Sequence, residues 1–137
     1  VIGTGSPENQ AFIARLGAIP TTYGPGLPER VPAGRVDRAL DVAGAGSLPE
    51  LIAITGTAAS VVTIADFTGS RLGIRLSTGD LGGQPNGRHG LAAAAALFEE
   101  GRFRLPLREV FPLAEAARAH VLAARGPRQG KIALTVP

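Results

Sequence analysis

The chain contains no cysteine, no methionine and no tryptophan. Without cysteine neither a disulfide framework nor a thiolate metal site can form. His89 and His120 lie far apart, and neither has a neighbour at ligand spacing, so no zinc site is expected within this segment. Without methionine even at position 1, the sequence is expected to be an excised or truncated part of a longer chain. Aromatic residues make up only 4%, so the core has to be built from Ala, Val, Leu and Ile. Lys131 is the only lysine, and the arginines are scattered, with no basic block and no interleaved aromatics. The net charge of +3 is therefore not the footprint of a nucleic-acid platform. No run reaches the ~18 apolar residues of a membrane span. No charged–apolar–small signal pattern opens the chain. A cytoplasmic setting with neither nucleic-acid nor membrane partners is expected.

What is present reads as a folded α/β chain. An apolar share of 45% with ordinary charge suits a packed core, and 137 residues suit one domain. Val1 to Ser6 reads as a short buried strand with a tight glycine turn at Gly3-Thr4-Gly5, followed by a helix running to Leu16-Gly17-Ala18. Ile19 to Tyr23 is a second strand, closed by Gly24-Pro25-Gly26. Leu27 to Val31 has the length of one helical turn. Val36 to Ala43 reads as a strand ended by Gly44-Ala45-Gly46. Ser47, with Pro49 and Glu50 behind it, predicts a capped helix that Gly56 stops. Ala59 to Ala65 is a continuous β-branched run, the mark of a strand covered on both faces. A short strand at Gly73 to Ser77 and a loop at Thr78 to Gly90 follow. The rest is a helix at Leu91 to Glu100, an extended stretch at Arg108 to Pro112, a helix at Leu113 to Arg125 stopped by Gly126-Pro127, and a last strand at Lys131 to Val136. Strands alternating with helices predict a Rossmann-type doubly wound, mainly parallel sheet.

Several residues carry possible chemistry. Neither Gly3-Thr4-Gly5 nor Gly44-Ala45-Gly46 completes Gly-x-Gly-x-x-Gly: Glu8 and Pro49 stand where the third glycine would be. Both pairs read more simply as strand-end turns. An NAD site places Asp or Glu at such a strand end to accept from the ribose 2′-hydroxyl. Here Thr4 and Ser6 stand instead, and the first acid is Glu8. Small hydroxyls there, with the amides near Glu8 and Asn9, favour NADP(H); capping of the helix by Ser6 is compatible with that. Asp37 and Asp41 share a strand face, as solvated ends or partners of Arg35 and Arg38, or as an acid–base pair. Asp66 follows the strongest strand, where open α/β sheets bind ligands. His120 reads as a surface helix residue.

Val-Ile-Gly-Thr-Gly-Ser-Pro-Glu-Asn (1–9) with Leu-Gly-Ala (16–18) resembles the second βα unit of medium-chain dehydrogenases/reductases. Val-Asp-Arg-Ala-Leu-Asp-Val-Ala-Gly (36–44) is similar to their Val-Asp-x-x-Leu-Asp-x-x-Gly strand. Phe-Pro-Leu-Ala-Glu-Ala-Ala-Arg-Ala-His (111–120) with Gly-Lys-Ile-Ala-Leu-Thr-Val (130–136) resembles their C-terminal helix and strand. The similarity is to the zinc-independent, quinone-oxidoreductase-like branch. It implies residues 1–137 to be a partial dinucleotide-binding domain, without its first, glycine-rich βα unit and without the N-terminal catalytic domain. The parent would be an NADPH-dependent reductase passing hydride to a quinone, enone or other carbonyl compound, with this segment inactive alone. By match, Thr4, Ser6 and Asn9 lie at the adenosine ribose phosphate, Tyr23 lies near the adenine, and Ile64, Ala65, Asp66 and Phe67 border the nicotinamide. Some relatives carry lysine where Gln10 stands. Loss of the central first strand leaves a gap with unpaired edges, so a homodimer or pairing with another chain is expected. The alternative is a non-catalytic nucleotide-binding or assembly module of the same fold.

Overall fold

The computed structural model describes residues 1–31, 36–77, 88–125 and 130–136. They belong to two compact units, Val1–Gly87 and Arg88–Pro137. In the first, β1 (Ile2–Gly5) leads through a 3-10 turn (Pro7–Asn9) into α1 (Gln10–Arg15), and β2 (Ile19–Thr22) returns parallel to β1 with Gly5 opposite Thr22. The glycine turn read at Gly3-Thr4-Gly5 is not one. Both glycines belong to the strand, and neither has a positive φ. A Cβ on Gly3 would stand 2.7 Å from Ile13 Cγ2, and one on Gly5 2.7 Å from Ile13 Cδ1. The two glycines are thus the bed on which α1 lies, with Ile13 as the contact. The left-handed conformation comes later, at Gly17, where φ of 82° lets the chain leave the helix.

The single turn expected after β2 is α2 (Leu27–Arg30), rooted by the buried Leu27. Then come β3 (Ala39–Asp41), α3 (Leu48–Thr55), β4 (Val61–Thr63) and β5 (Arg75–Leu76), the three strands forming a parallel sheet in the order β3-β4-β5. All three are shorter than their sequence patterns. A 3-10 turn at Ala58–Ser60, capped by Thr57, delays the start of β4. The Thr63 hydroxyl draws in the Ala65 and Asp66 amides and ends it. Leu48, Val61 and Ile74 form the core cluster between α3 and this sheet. α3 ends at Gly56, as its sequence requires, with φ of 78°. Its predicted capping box does not form. Ser47, at φ −85° and ψ 4°, makes no side-chain cap bond, because a capping side chain needs an extended backbone to reach the N2 or N3 amide. Glu50 Oε2 is shielded from solvent and has no hydrogen-bond partner among the described residues.

The second unit contains α4 (Arg88–Glu99), β6 (Leu107–Pro112), α5 (Ala116–Ala123) and β7 (Lys131–Thr135). The helix expected from Leu113 opens as a 3-10 turn (Leu113–Glu115) and becomes α-helical at Ala116. β6 and β7 pair parallel, with a register shift between Leu107 and Glu109. Phe111 and Ala119 are buried between α5 and the strands, and the Arg108 guanidinium donates to the carbonyls of Leu122 and Arg125 at the end of the helix. The helix stop read at Gly126-Pro127, the part of the predicted loop at 78–87, and Arg35 lie outside the described residues.

Every strand pair is parallel, as an α/β fold with crossover helices requires. The fold is Rossmann-like. In place of one continuous sheet, however, the described strands form three groups: β1-β2, β3-β4-β5 and β6-β7. The first break lies between β2 and β3 in chain order. The break between the last two groups was not foreseen, because alternation of strands and helices does not reveal which strands share a sheet.

The close approach of Ile13 to β1 predicts a compensating pair. Gly5→Ala should cost about 1–3 kcal/mol through overpacking. Adding Ile13→Val, which deletes the clashing Cδ1, should recover part of that loss. Urea unfolding of the two single variants and the double variant measures the coupling; strict additivity would refute the contact.

Candidate nucleotide site

The residues singled out from the sequence gather at the carboxyl ends of strands, in two clusters on different sheets of the first unit. The first lies at β1 and β2. The register Gly5–Thr22 puts Ser6 and Tyr23 at the ends of adjacent strands. Thr4 is exposed, and Ser6 and Asn9 are half-buried. Ser6 does not cap the helix through a backbone amide. The Asn9 side-chain amide donates to Ser6 Oγ at 3.1 Å, and the Ser6 hydroxyl lowers the pKa of the exposed Glu8 carboxyl, helped by the backbone amide of Glu8. Tyr23 is half-exposed.

Two residues given little weight in the sequence hold this cluster together. The Gln10 amide donates to the carbonyls of Gly5, Ser6 and Thr21 at 2.9, 3.0 and 3.1 Å, tying the ends of β1 and β2. Arg30 reaches back from α2 to the carbonyls of Thr22, Gly24 and Pro25. Neither is legible from spacing, because each acts on backbone that only the fold brings near. Gln10 thus serves as a neutral staple between the two strand ends.

The second cluster is built on Asp41 and Thr63, which stand opposite each other on β3 and β4. Asp41 corrects the sequence reading: it is not a solvated strand end, and it pairs with no arginine among the described residues. It is buried, and Oδ2 accepts from the Thr63 hydroxyl at 2.7 Å. Its Oδ1 accepts from the amides of Ala43 and Gly44 at 3.2 and 3.1 Å. Thr63 Oγ1 in turn accepts from the amides of Ala65 and Asp66 at 3.2 and 2.9 Å. One carboxylate and one hydroxyl thereby set both strand-end loops. The loops touch at Gly44, where φ is 62° and a Cβ would stand 2.9 Å from the Ala65 carbonyl oxygen. This pair does make a left-handed turn, with Gly46 at φ 78°.

Of the residues the resemblance places at the nicotinamide, Ile64 and Phe67 are exposed, and Ala65 and Asp66 are half-buried. The Asp66 carboxylate faces its own chain. It accepts from the Thr68 hydroxyl at 2.6 Å and the Thr68 amide at 2.9 Å, and the Thr68 side chain and amide lower its pKa. Asp37 is exposed whereas Asp41 is buried against Thr63, and no hydrogen bond joins the two among the described residues; Arg38 donates to Ser60 Oγ. His120 lies exposed on α5.

A family model described as zinc-binding dehydrogenase matches residues 23–134. The match takes in Tyr23 and the β3–β4 cluster and stops short of Thr4, Ser6 and Asn9. No curated protein and no solved structure matches the chain. The metal in the family's description has no fitting donor set here: the chain lacks cysteine, and among the described residues no group of three His, Asp or Glu side chains could hold an ion.

Removal of the buried hydroxyl by Thr63→Val should cost about 1–3 kcal/mol, since it strands Asp41 Oδ2 without its donor. Thr63→Ser should retain most of the stability, as read by thermal or urea unfolding. The depressed pKa of Asp66 gives a second outcome. Its bonds to Thr68 are fully present above the ordinary aspartate range and are lost as pH falls through the lowered folded value. The Thr68 amide shift, followed by NMR, should titrate at a pH below that of an exposed aspartate's neighbour, and Asp66→Asn should abolish the titration.

Proposed function

The chain belongs to the zinc-binding dehydrogenase family, an oxidoreductase family that binds a nicotinamide cofactor, and from that membership we propose that it is the NADP(H)-binding portion of a reductase acting on a quinone, enone or other carbonyl compound. The nicotinamide, when bound, supplies hydride to the substrate. The chain's own residues bind and orient the cofactor.

The observation that supports NADP(H) over NAD(H) is the carboxyl end of β1. An acid that accepts from a 2′-hydroxyl belongs at that end, yet Gly5 stands there and any side chain would meet Ile13 Cδ1. Thr4, Ser6 and the Asn9 amide offer donors to a phosphate in its place. Glu8 acts against a phosphate: it is exposed, and the Ser6 hydroxyl helps keep it charged at neutral pH. It is the single acid near the strand end whose charge the preference must overcome. The β3–β4 loops, held by Asp41 and Thr63, supply the nicotinamide end in this reading, with Ile64 and Ala65 as its apolar border. Within the first unit, β1 and β3 each pair along one edge only among the described residues. Such edges favour a further strand from another chain or a second copy.

Equilibrium titration of the 137-residue chain with NADPH and NADH tests the cofactor assignment. NADPH should bind more tightly, and Glu8→Gln should raise NADPH affinity by about three- to tenfold, with little effect on NADH. Tighter binding of NADH by the unaltered chain would overturn the assignment. On the pairing of edges, sedimentation should return a mass above the 14.0 kDa of one chain.

A further inference from the structure

Tyr23 is the only tyrosine in the chain, and there is no tryptophan. The residue is 51% exposed at the end of β2, in a turn with glycine on the far side of it. Such a turn would ordinarily let the ring wander. Here it is tied from within. Arg30 Nη2 donates to the carbonyls of Thr22 and Gly24, the residues on either side of Tyr23, at 3.0 and 3.3 Å. Arg30 Nη1 donates to the carbonyl of Pro25 at 3.0 Å. The planar fork of a guanidinium can hold several carbonyls in one geometry, which a lysine ammonium does less well.

The surroundings are shaped for this arginine. Gly26 has φ of 79°, and a Cβ there would stand 2.9 Å from Arg30 Nη1, so the glycine provides both the turn and the space. Leu27, one turn before Arg30 on α2, is 1% exposed and anchors the helix in the core. The Gly24 carbonyl also accepts from the Leu27 amide at 3.1 Å. The backbone on both sides of Tyr23 is therefore referred to a buried residue, while Tyr23 itself is half-exposed.

We propose that Arg30 is a positioning residue: it fixes the Tyr23 ring as a platform on which the adenine of an adenine nucleotide stacks. The proposal rests on the assignment of a nicotinamide dinucleotide, and it adds the residue that holds the adenine subsite in shape. An aromatic face takes any flat base. Restricting the turn before binding reduces the ordering that binding would otherwise require.

ADP-ribose, which carries the adenine without the nicotinamide, is the probe, and the emission of the single tyrosine is the signal. Adding ADP-ribose to the 137-residue chain should quench that emission. Arg30→Gln should weaken the affinity by about tenfold, as loss of a stacking contact does, with circular dichroism unchanged. Arg30→Lys, which keeps the charge but not the fork, should fall between the two and serves if the glutamine variant does not fold. Tyr23→Phe should bind as the unaltered chain does, by calorimetry, and Tyr23→Ala should not. Unchanged affinity in folded Arg30→Gln, with the unaltered chain still quenched, would overturn the role of Arg30 and leave the adenine at Tyr23. Absence of quenching and of binding in the unaltered chain would overturn both.

Discussion

A buried carboxylate is tolerated only when its oxygens are matched by donors, and Asp41 is the place where this chain meets that condition. Its two oxygens take one hydroxyl and two amides. The hydroxyl that serves it, on Thr63, takes two further amides. The ends of β3 and β4 cannot be moved independently without unpairing a polar group in the interior. The carboxyl ends of β3 and β4, the turn at Gly44 and the course of the chain through Ala65 and Asp66 follow from that one requirement. The core of Leu48, Val61 and Ile74 gives the sheet its apolar side; the Asp41–Thr63 pair gives its carboxyl end a shape.

The other strand end solves a different problem with different means. β1 carries glycine at positions 3 and 5 so that α1 can lie against it. A strand so bare has few side chains to build a site, and the donors come from the turn beyond it: Ser6, Asn9 and Gln10. Gln10 spends its amide on three carbonyls and Arg30 spends its guanidinium on three more. Both are polar side chains used to hold backbone, not ligand. What remains available at that strand end is the Thr4 and Ser6 hydroxyls, the Glu8 carboxylate and the Tyr23 ring.

Much of this was legible in the sequence, for reasons that can be stated residue by residue. The run Ala59 to Ala65 announced a covered strand because β-branched apolar residues have few other stable placements. Gly56 announced the end of α3 because only a residue without Cβ readily takes φ near 78° there. The missing acid at the end of β1 was legible as composition alone. Other features misled. Gly3-Thr4-Gly5 has the look of a turn, yet its glycines answer to Ile13, ten and eight residues away. Ser47 and Glu50 have the spacing of a capping box, yet the backbone at Ser47 is not extended.

The sequence by itself determined the class of the fold, through alternating strand and helix patterns and parallel pairing, and the presence of hydroxyls and the absence of an acid at the end of β1. These follow from local rules, in which a residue's own type and its near neighbours are enough. Only the tertiary structure decided which strands share a sheet, that Asp41 is buried and bound to Thr63 twenty-two positions away, and that Arg30 belongs to the turn around Tyr23. Those are matters of which distant groups meet. A hydrogen bond depends on distance and direction in space, and no spacing along the chain records either.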